Sequence, residues 1–308
     1  MLSMSTAKKS YSTGAFWFVA PAMIVLLVVG IIPLLFALST SFQQFILTKA
    51  HFKGAILGIW PIFDAPFVWL SNYRDLLFDE SFRNALGRSF LFLIINLPIQ
   101  VVLGLTIALL LHRPGHEWLK NVTRVALVIP MATTFAVVGL IGRLLFNGDF
   151  GINNFFWNLV FGHKLEWLAD SNLAFVSISI MDCWQWTPFC ALVLYSSLTM
   201  VPVEIEEAAK LETDKWWHVL RKVQLPFLLP GLTAILILRT ADILKMFDVV
   251  YIMTRGGPGA ATELISIYIQ RIGFRSFEQG TASAEAIVLL VITIILSRIY
   301  IRFIYREI

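Results

Sequence analysis

The sequence predicts an all-α integral membrane protein, a bundle of six membrane-spanning helices. Three observations predict it. The 308 residues are 58% hydrophobic and only 14% charged, where a soluble domain carries roughly a quarter charged residues. The mean hydropathy is +0.77. Six apolar stretches, near 16–40, 88–111, 123–146, 173–200, 228–252 and 282–304, are each long enough to cross a bilayer, which takes about 20 residues as a helix. They lack strand alternation, and a helix satisfies its own backbone in lipid.

The first stretch follows Lys8 and Lys9 and runs from Phe16 to Leu38. It exceeds the apolar core of a signal peptide and ends without a small-x-small cleavage site, so it is expected to be retained as the first span. Residues 1–15 form a tail, and 16–308 form one transmembrane domain. Six spans put both termini on one side. Lys8, Lys9, Arg113, Lys120, Arg124, Lys210, Lys215, Arg221, Lys222, Arg302 and Arg306 then share a side, which the positive-inside bias assigns to the cytoplasm. The outer segments 41–87, 147–172 and 253–281 carry Trp60, Trp69, Phe155, Phe156, Trp157 and Trp167. These aromatics suit anchoring at the membrane surface or a docking role.

In the second span, Asn96 and Gln100 are polar candidates for a translocation path. The fourth contains Asp182, Gln185, Trp186, Pro188 and Phe189. Aromatic faces with a carboxylate and an amide among them suit a ligand pocket; equally, the segment can be aromatic packing around a buried carboxylate paired with Arg239. Cys183 and Cys190 lie on the same segment, about 10 Å apart along a helix, beyond disulfide reach.

Between the fourth and fifth spans, loop 201–228 opens at Pro202, which can start a helix. Glu204, Glu206 and Glu207 sit in its first turn, where the helix dipole favours negative charge. Ala208 and Ala209 leave a small surface. Thr213 and Asp214 mark a break and a fresh N-cap. Trp216, Trp217, Val219, Leu220 and Val223 give a second amphipathic helix, and Pro226 and Pro230 return the chain to the membrane. An amphipathic hairpin lying on the membrane has this composition too.

The fifth span holds Arg239, Asp242, Lys245 and Asp248, three residues apart throughout. Neighbours at this spacing can pair along one helical edge, and charges at this depth should face the interior of the bundle. They are either ion pairs between helices or the lining of a path, with Arg239 and Asp242 reaching solute hydroxyls.

These segments carry a resemblance. Glu207-Ala208-Ala209, then Leu225-Pro226 in register, resemble the coupling loop of permeases in binding-protein-dependent ABC importers, with Thr213 at that family's glycine position. Phe247-Asp248, Tyr251, Thr254, Gly256-Gly257-Pro258 and Thr262, with Leu70 to Asp79 and Phe82, resemble the maltose and glycerol-phosphate permease-like sugar branch. The resemblance implies a type I importer permease, in the inner membrane of a bacterium, that moves a sugar or sugar derivative by alternating access. It implies as partners a second homologous permease, two ATPase subunits and an extracytoplasmic solute-binding protein. Glu206, Glu207, Ala208, Ala209, Leu211, Thr213 and Asp214 would engage the ATPase. Asp182, Gln185, Trp186, Phe189, Arg239, Asp242, Ile243 and Met246 would face the solute.

The chain has no phosphate-binding Gly-x4-Gly-Lys-Ser/Thr loop and no metal-ligand spacing, so no cofactor is expected on it; ATP and Mg would sit on the partners, and no nucleic acid is implied. A carrier driven by an ion gradient, with Asp182, Asp242 or Asp248 bearing the ion, is the alternative; it predicts an inverted repeat, which the sequence does not display.

Overall fold

The computed structural model describes residues 13–56, 60–213 and 215–304. Lys8, Lys9, Asp214 and Arg306 fall outside the described residues. The chain forms two compact units: residues up to Leu76 with Ile272–Ile287, and Leu77–Arg271 with residues from Val288 onward.

The first unit begins with helix α1 (Thr13–Val25), a π turn over Leu26–Ile31, and α2 (Ile32–Ser41). Pro33 lacks the N–H an α-helix would use there, and the wider π turn precedes it. Trp17–Ser41 is long and apolar enough to span a membrane. A hairpin follows, β1 (Phe52–Ile56) antiparallel to β2 (Trp60–Phe63), then α3 (Ser71–Phe78). Asn72 and Tyr73 hold the end of α2: Asn72 Nδ2 donates to the carbonyls of Ser41 (2.8 Å) and Gln43 (3.0 Å), and Tyr73 Oη lies 2.6 Å from Ser41 Oγ. These two motif residues therefore close a turn.

In the second unit, α4 (Glu80–His112) is capped by Asp79, whose carboxylate accepts from Ser81 N at 2.8 Å. It starts eight residues before the predicted second span, because this cap lies upstream of the apolar run. Helices α5 (Glu117–Ala132) and α6 (Phe135–Leu145) follow, then α7 (Ile152–Phe161). Helix α8 (Ser171–Leu198) starts at Asp170, which accepts from the N–H groups of Asn172 and Leu173, both at 2.9 Å.

The predicted continuous third span is instead bent by 95° between α5 and α6. Thr133 and Thr134 are both extended, just after Pro130. Short apolar periodicity cannot reveal such a break, since the residues on both sides are equally apolar.

The elbow before the fifth span is α9 (Val203–Glu212), followed by α10 (Trp216–Val219) and a π turn over Leu220–Gln224 that leads into α11 (Leu225–Leu244). α11 ends at Lys245, and α12 (Asp248–Met253) begins three residues later. The predicted fifth span is thus interrupted at its charges. Ser266 Oγ donates to the Met246 carbonyl freed by this break. After a turn closed by Thr262, whose Oγ1 is 2.7 Å from Thr254 Oγ1 and donates to the Gly257 carbonyl at 2.7 Å, come α13 (Ile265–Phe274) and α14 (Gln279–Phe303).

The apolar core of this unit lies where α4, α8 and α11 meet, with Phe92, Leu97, Ile178, Leu194, Ile235 and Ile243 buried together. Gly104 lets α4 approach α8 closely, since a Cβ there would sit 2.6 Å from Cys190 Cβ. Small residues serve this purpose between membrane helices. Four helices among the described residues are long and apolar enough to cross a membrane, and six crossings result when α5–α6, and α8 with the start of α9, bent by 87°, each count as one.

Candidate functional site

Three polar side chains from three helices meet inside this core. Asp182 comes from the middle of α8, Gln100 from α4 and Arg239 from α11. Arg239 Nη2 donates to both oxygens of Asp182, at 3.0 and 2.9 Å. Its Nε donates to Gln100 Oε1 at 2.9 Å, and Gln100 Nε2 donates to Asp182 Oδ2 at 2.6 Å. The ring of bonds is closed. All three residues are at most 1% exposed. Burying such charges is tolerable only with pairing and bonding of this quality. The guanidinium also lies over the Trp186 ring, 4.5 Å from its centroid, an additional attraction once water is excluded.

Beside the cluster is a cavity of about 220 Å³. Asp182, Gln185, Trp186, Arg239, Asp242 and Met246 line it, with Phe135, Lys245, Phe247 and Asp248. The bend between α5 and α6 builds one wall. It places Phe135 6.0 Å from Trp186, centroid to centroid, and turns the Thr133 carbonyl to accept from Gln185 Nε2 at 3.0 Å. The break between α11 and α12 builds another, where Lys245 pairs with Asp242 at 2.9 Å.

On the elbow, Glu207 and Ala208 are exposed and Ala209 is half-buried. Leu211 is 91% exposed. Glu206 turns the other way. His112 Nε2, at the end of α4, is 2.9 Å from Glu206 Oε2, and Gln224 Nε2 donates to Oε1 at 3.4 Å. Thr213 is extended, with φ −154° and ψ 133°. Its Oγ1 accepts from Lys215 N at 3.3 Å. No left-handed residue is needed here, so threonine fits the bend.

Residues 100–306 match the sequence profile of the family described as binding-protein-dependent transport system inner membrane component. The chain belongs to this family of permeases. The permease is 31% identical over 244 residues to the trehalose/maltose transport system permease protein of Thermococcus litoralis, covering 78% of this chain and 80% of the relative. It is 29% identical over 286 residues to the sulfoquinovosyl glycerol transport system permease protein of Agrobacterium fabrum, covering 92% and 88%. Over 239 residues it is 30% identical to the diacetylchitobiose uptake system permease protein of Streptomyces coelicolor, covering 77% and 73%. Its fold matches a chain of a bacterial alginate ABC transporter solved with an alginate pentasaccharide-bound periplasmic protein, with a TM-score of 0.78 over 94% of this chain and 92% of that one, at 15% identity. The permease thus has the all-α fold of type I importer permeases. Membership sets aside the gradient-driven alternative.

The structure of the permease redistributes the residues singled out by sequence. Ile243 is fully buried in the apolar core. Phe189 packs edge-on against Trp186, with centroids 5.9 Å apart. Asn96 is bonded to Ser179 Oγ at 3.2 Å and to its own helix. The charge ladder of the fifth span is not a run of neighbouring pairs: Arg239 bonds across to α8, Asp242 takes Lys245, and Asp248 starts α12. His112 and Gln224 were missed as partners of Glu206. Gln100 was visible as a polar residue in a span, a signal of function or pairing, but spacing within one helix could not name partners on two others.

Proposed function

We propose that the permease carries a sugar or sugar derivative inward across the cytoplasmic membrane of a bacterium, as one of two homologous permease subunits. Two ATPase subunits, holding ATP and Mg, drive it, and an extracytoplasmic binding protein delivers the solute. Both termini are cytoplasmic, with residues 1–15 as a tail and loop 201–228 facing the ATPase. The observation that carries this reading is the cavity beside Arg239, which Trp186 and Phe247 line together with hydrogen-bonding side chains. That is the wall chemistry a polyhydroxy ring requires. The carbohydrate transport named for the relatives agrees with it.

Glu207, Ala208 and Leu211, on the exposed side of α9, meet the ATPase, with Ala209 and Thr213 beside them and Asp214 next in sequence. Glu206 anchors the elbow from within. Nucleotide-driven closure of the ATPase pushes α9, and the helices exchange outward-open and inward-open arrangements. A solute biases that exchange only through contacts that differ between the two states. The test is Glu207→Lys in the assembled transporter, reading ATPase co-purification and solute uptake. Loss of both is expected. Retention of both at wild-type levels would remove α9 from the coupling surface.

A further inference from the structure

Arg239 is the residue that could recruit an anionic solute, and the structure shows how it is employed. Its Nε is taken by Gln100, its Nη2 by both oxygens of Asp182, and its face by Trp186. The cluster it belongs to is neutral as a whole. Lys245, the other cation on the cavity wall, pairs with Asp242 at 2.9 Å. Asp248 adds a further carboxylate to that wall. The lining therefore carries three carboxylates against two cations. Such a balance gives the wall a net negative charge, which repels an anion and leaves a neutral solute unaffected.

Gln185 supplies the second observation. Its Nε2 donates to the Thr133 carbonyl at 3.0 Å. That fixes the amide, because the reversed orientation would set two acceptors against each other. Its Oε1 is buried, on a residue only 2% exposed, and meets no donor among the described residues. A buried acceptor without a donor is costly, and a solute hydroxyl entering the cavity would satisfy it.

We infer that the cavity takes neutral polyhydroxy solutes and rejects anionic ones, with Gln185 Oε1 accepting a hydrogen bond from a solute hydroxyl. This rests on the sugar-permease reading and narrows it.

The test uses the complete transporter, with its binding protein and ATPase subunits, in cells lacking the chromosomal copy of this chain. Uptake is measured for radiolabelled probes: maltose against maltobionate, trehalose against trehalose 6-phosphate, and diacetylchitobiose against an alginate pentasaccharide. Uptake of at least one neutral probe is expected, with every anionic probe slower by about tenfold or more. Gln185→Leu should reduce uptake of the neutral probe about tenfold while the amount of assembled complex stays constant, and Gln185→Asn should restore part of it. Anionic probes carried as fast as neutral ones, or a Gln185→Leu transporter that works normally, would overturn the inference and leave the sugar reading intact. Uptake of none of the carbohydrates would overturn both.

Discussion

His112 Nε2 lies 2.9 Å from Glu206 Oε2, and this contact ties the last turn of α4 to the first turn of the elbow helix α9. Gln224 holds the other carboxylate oxygen from the π turn that leads into α11. One acidic side chain thus joins α9 to the two helices that carry Gln100 and Arg239. His112 is about 18 Å along α4 from Gln100. Both partners of Asp182 therefore lie on the helices that Glu206 ties to α9.

Loosening this anchor should uncouple the two activities before it unfolds the protein. One hydrogen bond contributes about 0.5–1.5 kcal/mol net, or somewhat more when charged. His112→Ala and Glu206→Gln should keep the complex assembled and lower the solute moved per ATP hydrolysed, by about threefold to tenfold on that scale. Proteoliposomes in which uptake and ATP hydrolysis are followed together measure the ratio. A proportional fall in both rates would reduce the contact to a structural one.

The Asp182–Arg239 pair should show strong non-additivity. Removing Asp182 alone strands a guanidinium that is 0% exposed, a loss of about 3–5 kcal/mol. Removing both charges together, as Asp182→Asn with Arg239→Gln, keeps hydrogen-bonding groups in place and should recover most of that stability. Thermal unfolding of the purified complex for the two single variants and the double variant completes the cycle. A double variant destabilised by the sum of the two single losses would mean the ion pair does not hold the helices together.

The membrane class, the elbow and most of the cavity residues were legible because each rests on a local signal. Apolar runs mark spans, and Glu207-Ala208-Ala209 with Leu225-Pro226 marks the elbow. The two breaks were not legible. Thr133-Thr134 lies inside an apolar run, and Lys245 to Phe247 reads as a continuation of the fifth span. Yet these breaks bring Phe135 and Phe247 to the cavity. Partner choice was left open: the pairing of Arg239 with the fourth span's carboxylate, one of the two readings, is the one the structure forms. Arg239 and Asp242 are three residues apart, and Asp182 is on another helix, so only the packing of α8 against α11 decides between them.

Placing glycine at position 213 should bring no benefit. Thr213 is extended, and its hydroxyl accepts from Lys215 N. Thr213→Gly removes that bond and adds freedom to the unfolded chain, a loss of about 0.5–1 kcal/mol on the glycine scale. The variant should melt slightly lower and transport no faster than the parent. A clear gain in uptake would show that the elbow needs a backbone conformation that threonine resists.

Gly104 should be the least replaceable glycine in the packing of α4 on α8. A Cβ there would lie 2.6 Å from Cys190 Cβ and 2.9 Å from the Ala191 nitrogen. Neither atom can swing away, since both belong to the helical framework of α8 at fully buried positions. The helices must part, and with them Gln100, one turn earlier on α4, must move away from Asp182. Gly104→Ala should therefore destabilise the complex by about 1–3 kcal/mol and depress uptake together with it. Gly87→Ala on the same helix, where an added Cβ has nothing within 4 Å, controls for helix propensity and should be neutral or slightly stabilising in the same melting assay. If the two substitutions behave alike, α4 and α8 are not in the close contact on which the Gln100–Asp182–Arg239 cluster depends.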